Sequence, residues 1–417
     1  MDMGKYFSDV VDHAIEDIYY CYDVNRAVSA VQSLMEAANS GDGDASYLLS
    51  RCLSGPNYSW DFHPFREDEE GANFFIVQSI RQGSAAGVLG AMRCGMLTPE
   101  MEEAMPFANL QEAWDVIYQK AQAGSLFCQN MIGNTYYWGD MVRIEGRGPD
   151  TFENIEDYRA YLREMTLASI PWFEKAFRGG MGFAGRNLRN LYQDGEEATG
   201  IPPQPEKAQE IVRLGAELGY PEWQYDLGYD LYYKNQYEEA VSWFRKSWEQ
   251  GHLYACLYLG LAYREGEGVT QDIQKTIQLW TQGAAFPRDR NCSQMLGYLF
   301  FSGTYGAPVD YARGVQLMEQ SVERGSFWQA APLAVCYLTG KGCQKDYARA
   351  KWLLDNTPEE RHIPEWYYGM GLMYAEGLGV PEDIKRGVEY LQESDYPDAK
   401  EALLRYKKNF FGKWVRR

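Results

Sequence analysis

Leu259-Gly260-Leu261-Ala262-Tyr263-Arg264-Glu265-Gly266 returns as Leu296-Gly297-x-x-Phe300-x-x-Gly303, as Leu333-Ala334-x-x-Tyr337-x-x-Gly340 and as Met370-Gly371-x-x-Tyr374-x-x-Gly377. The small residues at 260, 297, 334 and 371 are spaced 37 residues apart. A fixed period of that size marks a stacked-repeat architecture. Within each copy the apolar residues recur three or four apart, as at Cys256, Leu259 and Tyr263, which is one face of a helix. Gly266 and Gly268 stop that helix, because glycine accepts the left-handed backbone needed just past a helix end. Asp272 then opens a second helix as its N-cap, and Asp310, Asp346 and Asp383 stand at or within one residue of the matching place. Ile273, Ile277 and Trp280 are expected to carry the buried stripe of that second helix. The small residue at 260 admits a close neighbour, and the Tyr263 ring is expected to fill the gap beside it. Neither helix can bury its apolar face alone, so the units must stack.

The run Gly266-Glu267-Gly268-Val269 and its counterpart Gly377-Leu378-Gly379-Val380-Pro381-Glu382-Asp383 extend the motif. A second-helix signature appears as Trp172-Phe173-Glu174-Lys175-Ala176 and as Trp243-Phe244-Arg245-Lys246-Ser247. Together these resemble the Sel-one-like repeat family, relatives of the tetratricopeptide repeats. The resemblance covers about residues 170–395, with degenerate copies upstream. It implies an all-α chain: a right-handed α/α superhelical solenoid of about nine to ten antiparallel helix pairs. The expected organisation is a capping helix pair over 1–41, then degenerate repeats over 42–180 with insertions at about 56–71 and 140–169. Regular repeats follow over 181–395, and a closing helix with a basic tail occupies 396–417. The second insertion holds a predicted helix, about Glu153 to Ala168, with Tyr158, Leu162, Met165 and Leu167 as its apolar stripe.

Net charge is −19, which argues against nucleic acid or an anionic membrane as the general partner of the body. The tail departs from this: residues 405–417 carry six basic residues and no acid, interleaved with Phe410, Phe411 and Trp414. The reading is a closing helix whose aromatics cover the last repeat and whose cations lie on the acidic body; a surface-docking helix is the alternative. No apolar run is long enough to span a bilayer, so no integral membrane contact is expected. The residues from Met1 to Asp9 show no basic region followed by an apolar stretch, so no secretory signal is expected there. The family's secreted members bridge repeats with cysteine pairs, and this chain lacks that regular pairing. Its eight cysteines therefore read as reduced, mostly buried thiols, and the expected location is cytoplasmic.

Signatures of catalysis fail. His13, His63, His252 and His362 are scattered, and Asp61, His63 and Glu67 make only a weak metal grouping in an acidic loop. The Gly-x-Gly strings at 266–268, 340–342 and 377–379 imitate a dinucleotide loop, but each sits at one repeat position with no strand before it. No Gly-x-Ser-x-Gly elbow and no phosphate-binding Gly-Lys-Ser/Thr occurs. No catalytic residue, cofactor or metal is expected.

Tyrosine is the excess left over: 32 of them, more than the repeat position explains. In the tetratricopeptide-like stack that the resemblance implies, the first helices line the concave face. Aligned on the small residue, the groove set is Tyr137, Trp138, Arg186, Tyr225, Tyr229, Tyr232, Tyr233, Tyr254, Tyr298 and Phe301, with Asn134, Asn190 and Leu257 beside them. Tyrosine and tryptophan give large contact area and keep a polar handle. The expected function is a non-catalytic adaptor or scaffold that binds a protein or peptide in this groove, a basic partner surface being the charge-complementary case. An inhibitor or immunity-type protein that occludes a toxin or enzyme is one alternative, and a hydrolase using groove carboxylates another.

Overall fold

The computed structural model describes residues 5–21, 23–55, 65, 67–286, 289–358, 360 and 362–417. Most of the first insertion, with Asp61 and His63, lies outside them. Compactness divides the chain after His252.

The first unit stacks six helix pairs: α1 (Asp9–Tyr19) with α2 (Val24–Asn39), α3 (Gly43–Leu53) with α4 (Glu69–Arg81), and α5 (Ala85–Arg93) with the short α6 (Pro99–Ala104) and α7 (Leu110–Gln122). Then come α8 (Leu126–Tyr137) with the short α9 (Met141–Ile144) and α10 (Ile155–Gly179), α11 (Gly185–Asp194) with α12 (Pro205–Glu217), and α13 (Pro221–Tyr233) with α14 (Tyr237–Glu249). The second unit stacks four: α15 (Leu253–Glu265) with α16 (Ile273–Ala284), α17 (Asn291–Ser302) with α18 (Tyr311–Glu323), α19 (Ala330–Thr339) with α20 (Tyr347–Asp355), and α21 (Pro364–Glu376) with α22 (Ile384–Glu393). It closes with α23 (Pro397–Leu403) and a two-stranded antiparallel hairpin, β1 (Tyr406–Lys408) and β2 (Trp414–Arg416). Both units are all-α stacks of the expected kind, the hairpin being the exception.

Repeat chemistry is the same in each regular copy. The carboxylates of Asp272, Asp310, Asp346 and Asp383 accept the backbone N–H three residues on, at 2.9–3.0 Å. Each aspartate's own N–H donates back to the carbonyl of the repeat aromatic, Tyr263, Phe300, Tyr337 or Tyr374, at 2.8–3.1 Å. One residue thereby satisfies an orphan donor of the second helix and an orphan acceptor of the first. Between them, Gly266, Gly303, Gly340 and Gly377 hold φ of +65° to +79°, the left-handed stop read from the sequence.

The packing knob differs from expectation. It is the residue eight past the capping aspartate on the second helix, and not the Tyr263 ring, that fills the space at the small residue. A Cβ on Gly260 would lie 2.7 Å from Cε2 of Trp280 and nearer still to its Nε1. Met318 fills the place at Gly297, and Leu391 that at Gly371. Farther upstream Phe173 presses on Gly133 and Phe244 on Gly228. Trp280 is wholly buried and donates from Nε1 to the Leu257 carbonyl at 3.1 Å. Ile273 and Ile277 are only half-buried; the stripe of α16 is Thr276, Leu279, Trp280 and Gly283.

The second insertion is not a separate helix either. α10 runs without a break for 25 residues, from the insertion through Pro171 into the second helix of its repeat. Pro171 offers no N–H to the Leu167 carbonyl, but both residues face solvent, where water satisfies that oxygen. Tyr158, Leu162 and Met165 are half-buried and Leu167 is exposed. Arg163 ties the outer half to the next repeat by donating to the carbonyl of Thr199 at 3.1 Å and to that of Gly200. All eight cysteines are unbridged; Cys256 and Cys292 lie with sulfurs 3.5 Å apart as thiols in the core of the second unit.

Candidate functional site

Helix geometry sorts the expected groove residues. Each residue advances about 100° around the helix axis, so positions −3, +1 and +5 from the small residue fall at about 60°, 100° and 140°. Position +4 returns to about 40°, close to the direction of the second helix. The structure follows this. Trp138 and Tyr233, at +5, are 54% and 63% exposed, and Tyr229, at +1, is 37% exposed. At +4, Tyr137 packs edge-on against Phe173 and Tyr232 against Phe244 and Tyr237. Phe301, also at +4, is buried in the core of the second unit and is not a surface residue. Tyr298 is half-buried and donates to the Glu365 carboxylate at 3.4 Å; Tyr254 is exposed. These last three belong to the second unit, the other seven to the first.

On α13 the tyrosines form a ladder. Ring centroids of Tyr225 and Tyr229 lie 6.0 Å apart and those of Tyr229 and Tyr233 4.6 Å apart. At the inner end Tyr225 stacks on His252 at 4.8 Å. Burial drives the His252 pKa down to about 3, with the Arg186 charge adding to the effect, so the ring is neutral.

One concavity of the first unit, lined chiefly by α3, α5, α8 and α11, has a volume of about 490 Å³. Arg51, Arg93 and Arg186 line it, as do Asn134, Asn187, Asn190 and Trp138. Arg51 donates from Nε to the Tyr19 hydroxyl at 2.9 Å and from Nη1 to the Tyr47 hydroxyl at 3.2 Å, which fixes the plane of its guanidinium. Arg93 stacks over the Trp138 ring at 4.3 Å and pairs with Asp140 at 3.3 Å. Burial raises the Asp140 pKa, and Arg93 opposes that rise. Asn187 donates to the Asn134 side-chain oxygen at 2.6 Å, linking α11 to α8 across the floor. Among the described residues the lining carries three guanidiniums and one carboxylate, within a chain of net charge −19.

Arg51 and Arg93 were absent from the expected set. Arg51 had a signal: counted from Ser50, the same offsets reach Tyr47 at −3 and Arg51 at +1. Arg93 lies on the far side of its helix by that count and enters the pocket from the helix end, which no offset predicts. Among the described residues no cluster of three potential metal-ligating side chains occurs, and no helix is long and apolar enough to cross a membrane.

Stacked helix pairs with a capped, glycine-stopped loop and a concave face on the first helices define an all-α repeat array. The Sel1 repeat model matches residues 184–220, 221–252, 253–285, 294–326, 333–355 and 364–394, so the chain carries six Sel1 repeats. Such repeats are in general protein-interaction modules. The chain is similar to chitin synthase regulatory factor 1 of Schizosaccharomyces pombe, 24% identical over 208 residues, covering 46% of this chain and 42% of that one. It therefore spans less than half the length of that relative. Among solved structures, c5321, a protective antigen of uropathogenic Escherichia coli with an SLR fold, superposes with a TM-score of 0.49 at 21% identity, over 88% of this chain and 71% of its own. A Sel1 repeat protein from Oxalobacter formigenes gives 0.39 at 24% identity, over 47% and 83%.

Proposed function

We propose that the chain is a non-catalytic adaptor whose concave pocket, on α3, α5, α8 and α11, holds an extended segment of a partner protein. The observation that carries this reading is the lining itself: carboxamides of Asn134, Asn187 and Asn190 beside an exposed, arginine-backed Trp138. A carboxamide offers a donor and an acceptor together, the pattern a peptide backbone presents. Trp138 supplies the aromatic area typical of an interface hot spot. Three guanidiniums to one carboxylate favour a segment bearing an acidic or phosphorylated side chain, since arginine engages oxyanions in paired, charge-assisted hydrogen bonds. The pocket thus prefers the opposite sign to the basic partner that net charge alone suggests. The Tyr229–Tyr233 edge of the ladder would extend the contact.

Likeness to a regulatory factor supports a role in which the array holds a client enzyme or its regulator. Unbridged thiols support a cytoplasmic setting. Segments 1–41 and 396–417 would serve as caps of the array. The test is site-specific photo-crosslinking, with benzoylphenylalanine replacing Trp138 in one variant and the exposed Leu218 in another. Adducts from position 138 that map to one acidic or phosphorylated stretch, and vanish in Arg51→Gln/Arg93→Gln, are expected. Equal labelling from 138 and 218 would overturn the pocket assignment.

A further inference from the structure

We propose that the turn of the 406–416 hairpin is a membrane-surface docking element that seats Phe410 and Phe411 in an anionic lipid bilayer. These rings are 97% and 82% exposed, the two most exposed large apolar side chains described. They are not loose. The Asn409 side-chain oxygen accepts from the N–H groups of Phe411 and Lys413 at 2.9 and 3.0 Å. The Asn409 N–H donates to the Lys413 carbonyl at 2.8 Å, and Gly412 takes φ +74°, which closes the turn. A turn so fixed holds two phenyl rings in water, edge to face with centroids 5.5 Å apart. Isolated exposed hydrophobes need no explanation, but an adjacent, preorganised pair does.

The base of the hairpin is bound to the acidic body and the tip is not. Tyr406 is buried and donates to the Glu376 carboxylate. Arg416 pairs with Glu382 at 2.6 Å and Glu376 at 3.5 Å, and Arg405 with Glu376 at 3.7 Å. Among the described residues the ion pairs stop there: Lys407, Lys408 and Lys413, next to the phenyl pair along the chain, make no ion pair, and the Lys408 ammonium lies 5.3 Å from the centre of the Trp414 ring. Charge complementarity therefore calls for an anionic occupant with an apolar interior.

The choice of cation separates lipid from protein. Lysine is depleted from the dry centres of protein interfaces, where arginine is preferred. Its compact, strongly hydrated ammonium and flexible stem suit a headgroup layer while the rings beside it go deeper. Here guanidiniums make the internal pairs and ammoniums alone flank the rings. Repulsion between the acidic body and an anionic surface is screened over a Debye length of about 8 Å at physiological salt, so the local charge of the tip governs contact.

The experiment is co-sedimentation of the full chain with vesicles of phosphatidylcholine alone or with about a third phosphatidylserine. Binding to the serine-containing vesicles only is expected. Phe410→Ser/Phe411→Ser should weaken it more than about 10-fold. Lys407→Gln/Lys408→Gln/Lys413→Gln should weaken it about 100-fold, some fivefold per lysine. All five positions are exposed, and an unchanged circular dichroism spectrum checks that the variants fold. No binding of the wild-type chain to the serine-containing vesicles, or binding indifferent to the two phenylalanines, overturns the proposal. So does capture of the tip by an acidic protein while vesicles stay unbound.

Discussion

Replacing Gly260 by alanine should be harmful or harmless depending on one residue on the other helix. A Cβ at 260 falls inside the Trp280 indole, so the indole must move and lose its hydrogen bond to the Leu257 carbonyl. Alanine gains about 1 kcal/mol of helix propensity over glycine. Against that stand about 1–3 kcal/mol for overpacking a filled site and at least about 1 for a buried indole N–H left without its acceptor. The net expectation is a loss of about 2 kcal/mol. Trp280→Ala alone should cost about 4 kcal/mol, through the volume removed from a wholly buried site. In that background the overlap is gone, and Gly260→Ala should become neutral or stabilise by up to about 1 kcal/mol. Urea unfolding followed by circular dichroism gives the four stabilities. Hydrogen exchange at amides of 253–285 localises the change, because repeat arrays need not unfold as one step. A coupling of about 2 kcal/mol or more is expected. Effects that add within about 0.5 kcal/mol would refute the knob assignment.

His252 should make the first unit acid-sensitive. Its folded pKa, about 3, lies below the usual 6.5, so the unfolded chain takes up the proton first and stability falls as pH drops between those values. By pH 5 the loss is about 2 kcal/mol, absent in His252→Gln; parallel urea midpoints for the two proteins from pH 7 to 5 would discard the reasoning. Cys94 should be the first thiol modified by a disulfide reagent at pH 8, because it is exposed while burial pushes Cys52 and Cys336 up to about 12. A fast phase that persists in Cys94→Ser contradicts this. Asp383→Ala should cost about 1 kcal/mol and fray α22, read as faster amide exchange at residues 384–387. Tyr225→Ala/Tyr229→Ala/Tyr233→Ala should weaken partner binding by more than about 2 kcal/mol if the ladder extends the pocket, with the folded signal retained. Unchanged affinity confines the contact to the pocket.

The architecture was legible because the repeat is written in residues with one strong local consequence each: an aspartate that caps, a glycine that turns left, a small residue that admits a knob. The identity of the knob was less so, since Trp280 and Tyr263 are both large aromatics and only the helix pairing tells which faces Gly260. Among the expected groove residues Trp138, Tyr229 and Tyr233 face solvent, whereas Phe301 is buried. Taking +4 as outward ignores that it lies about 40° from the small residue, on the packed side. Arg93 could not be found from offsets, because it reaches the pocket around a helix end. In the tail, Asn409 and Gly412 are turn residues and Tyr406, Trp414 and Val415 favour strands. The density of lysine and arginine nonetheless reads as easily as a helix face.

The unbroken α10 has a consequence for how this chain can change its length. Insertions in repeat proteins ordinarily sit in loops, where one residue more or less is absorbed. Here the inserted segment and the core-packing end share a single rod, about 37 Å long at 1.5 Å per residue. Adding one residue between Arg163 and Pro171 would swing Arg163 and the helix outward of it by about 100° relative to Phe173, away from the Thr199–Gly200 loop that Arg163 holds. Removing four would turn them by only about 40° and draw them inward by about 6 Å. Length in this segment is therefore quantised by helical phase: relatives should gain or lose residues there in near-whole turns, and the insertion behaves as a rigid arm indexed to its repeat.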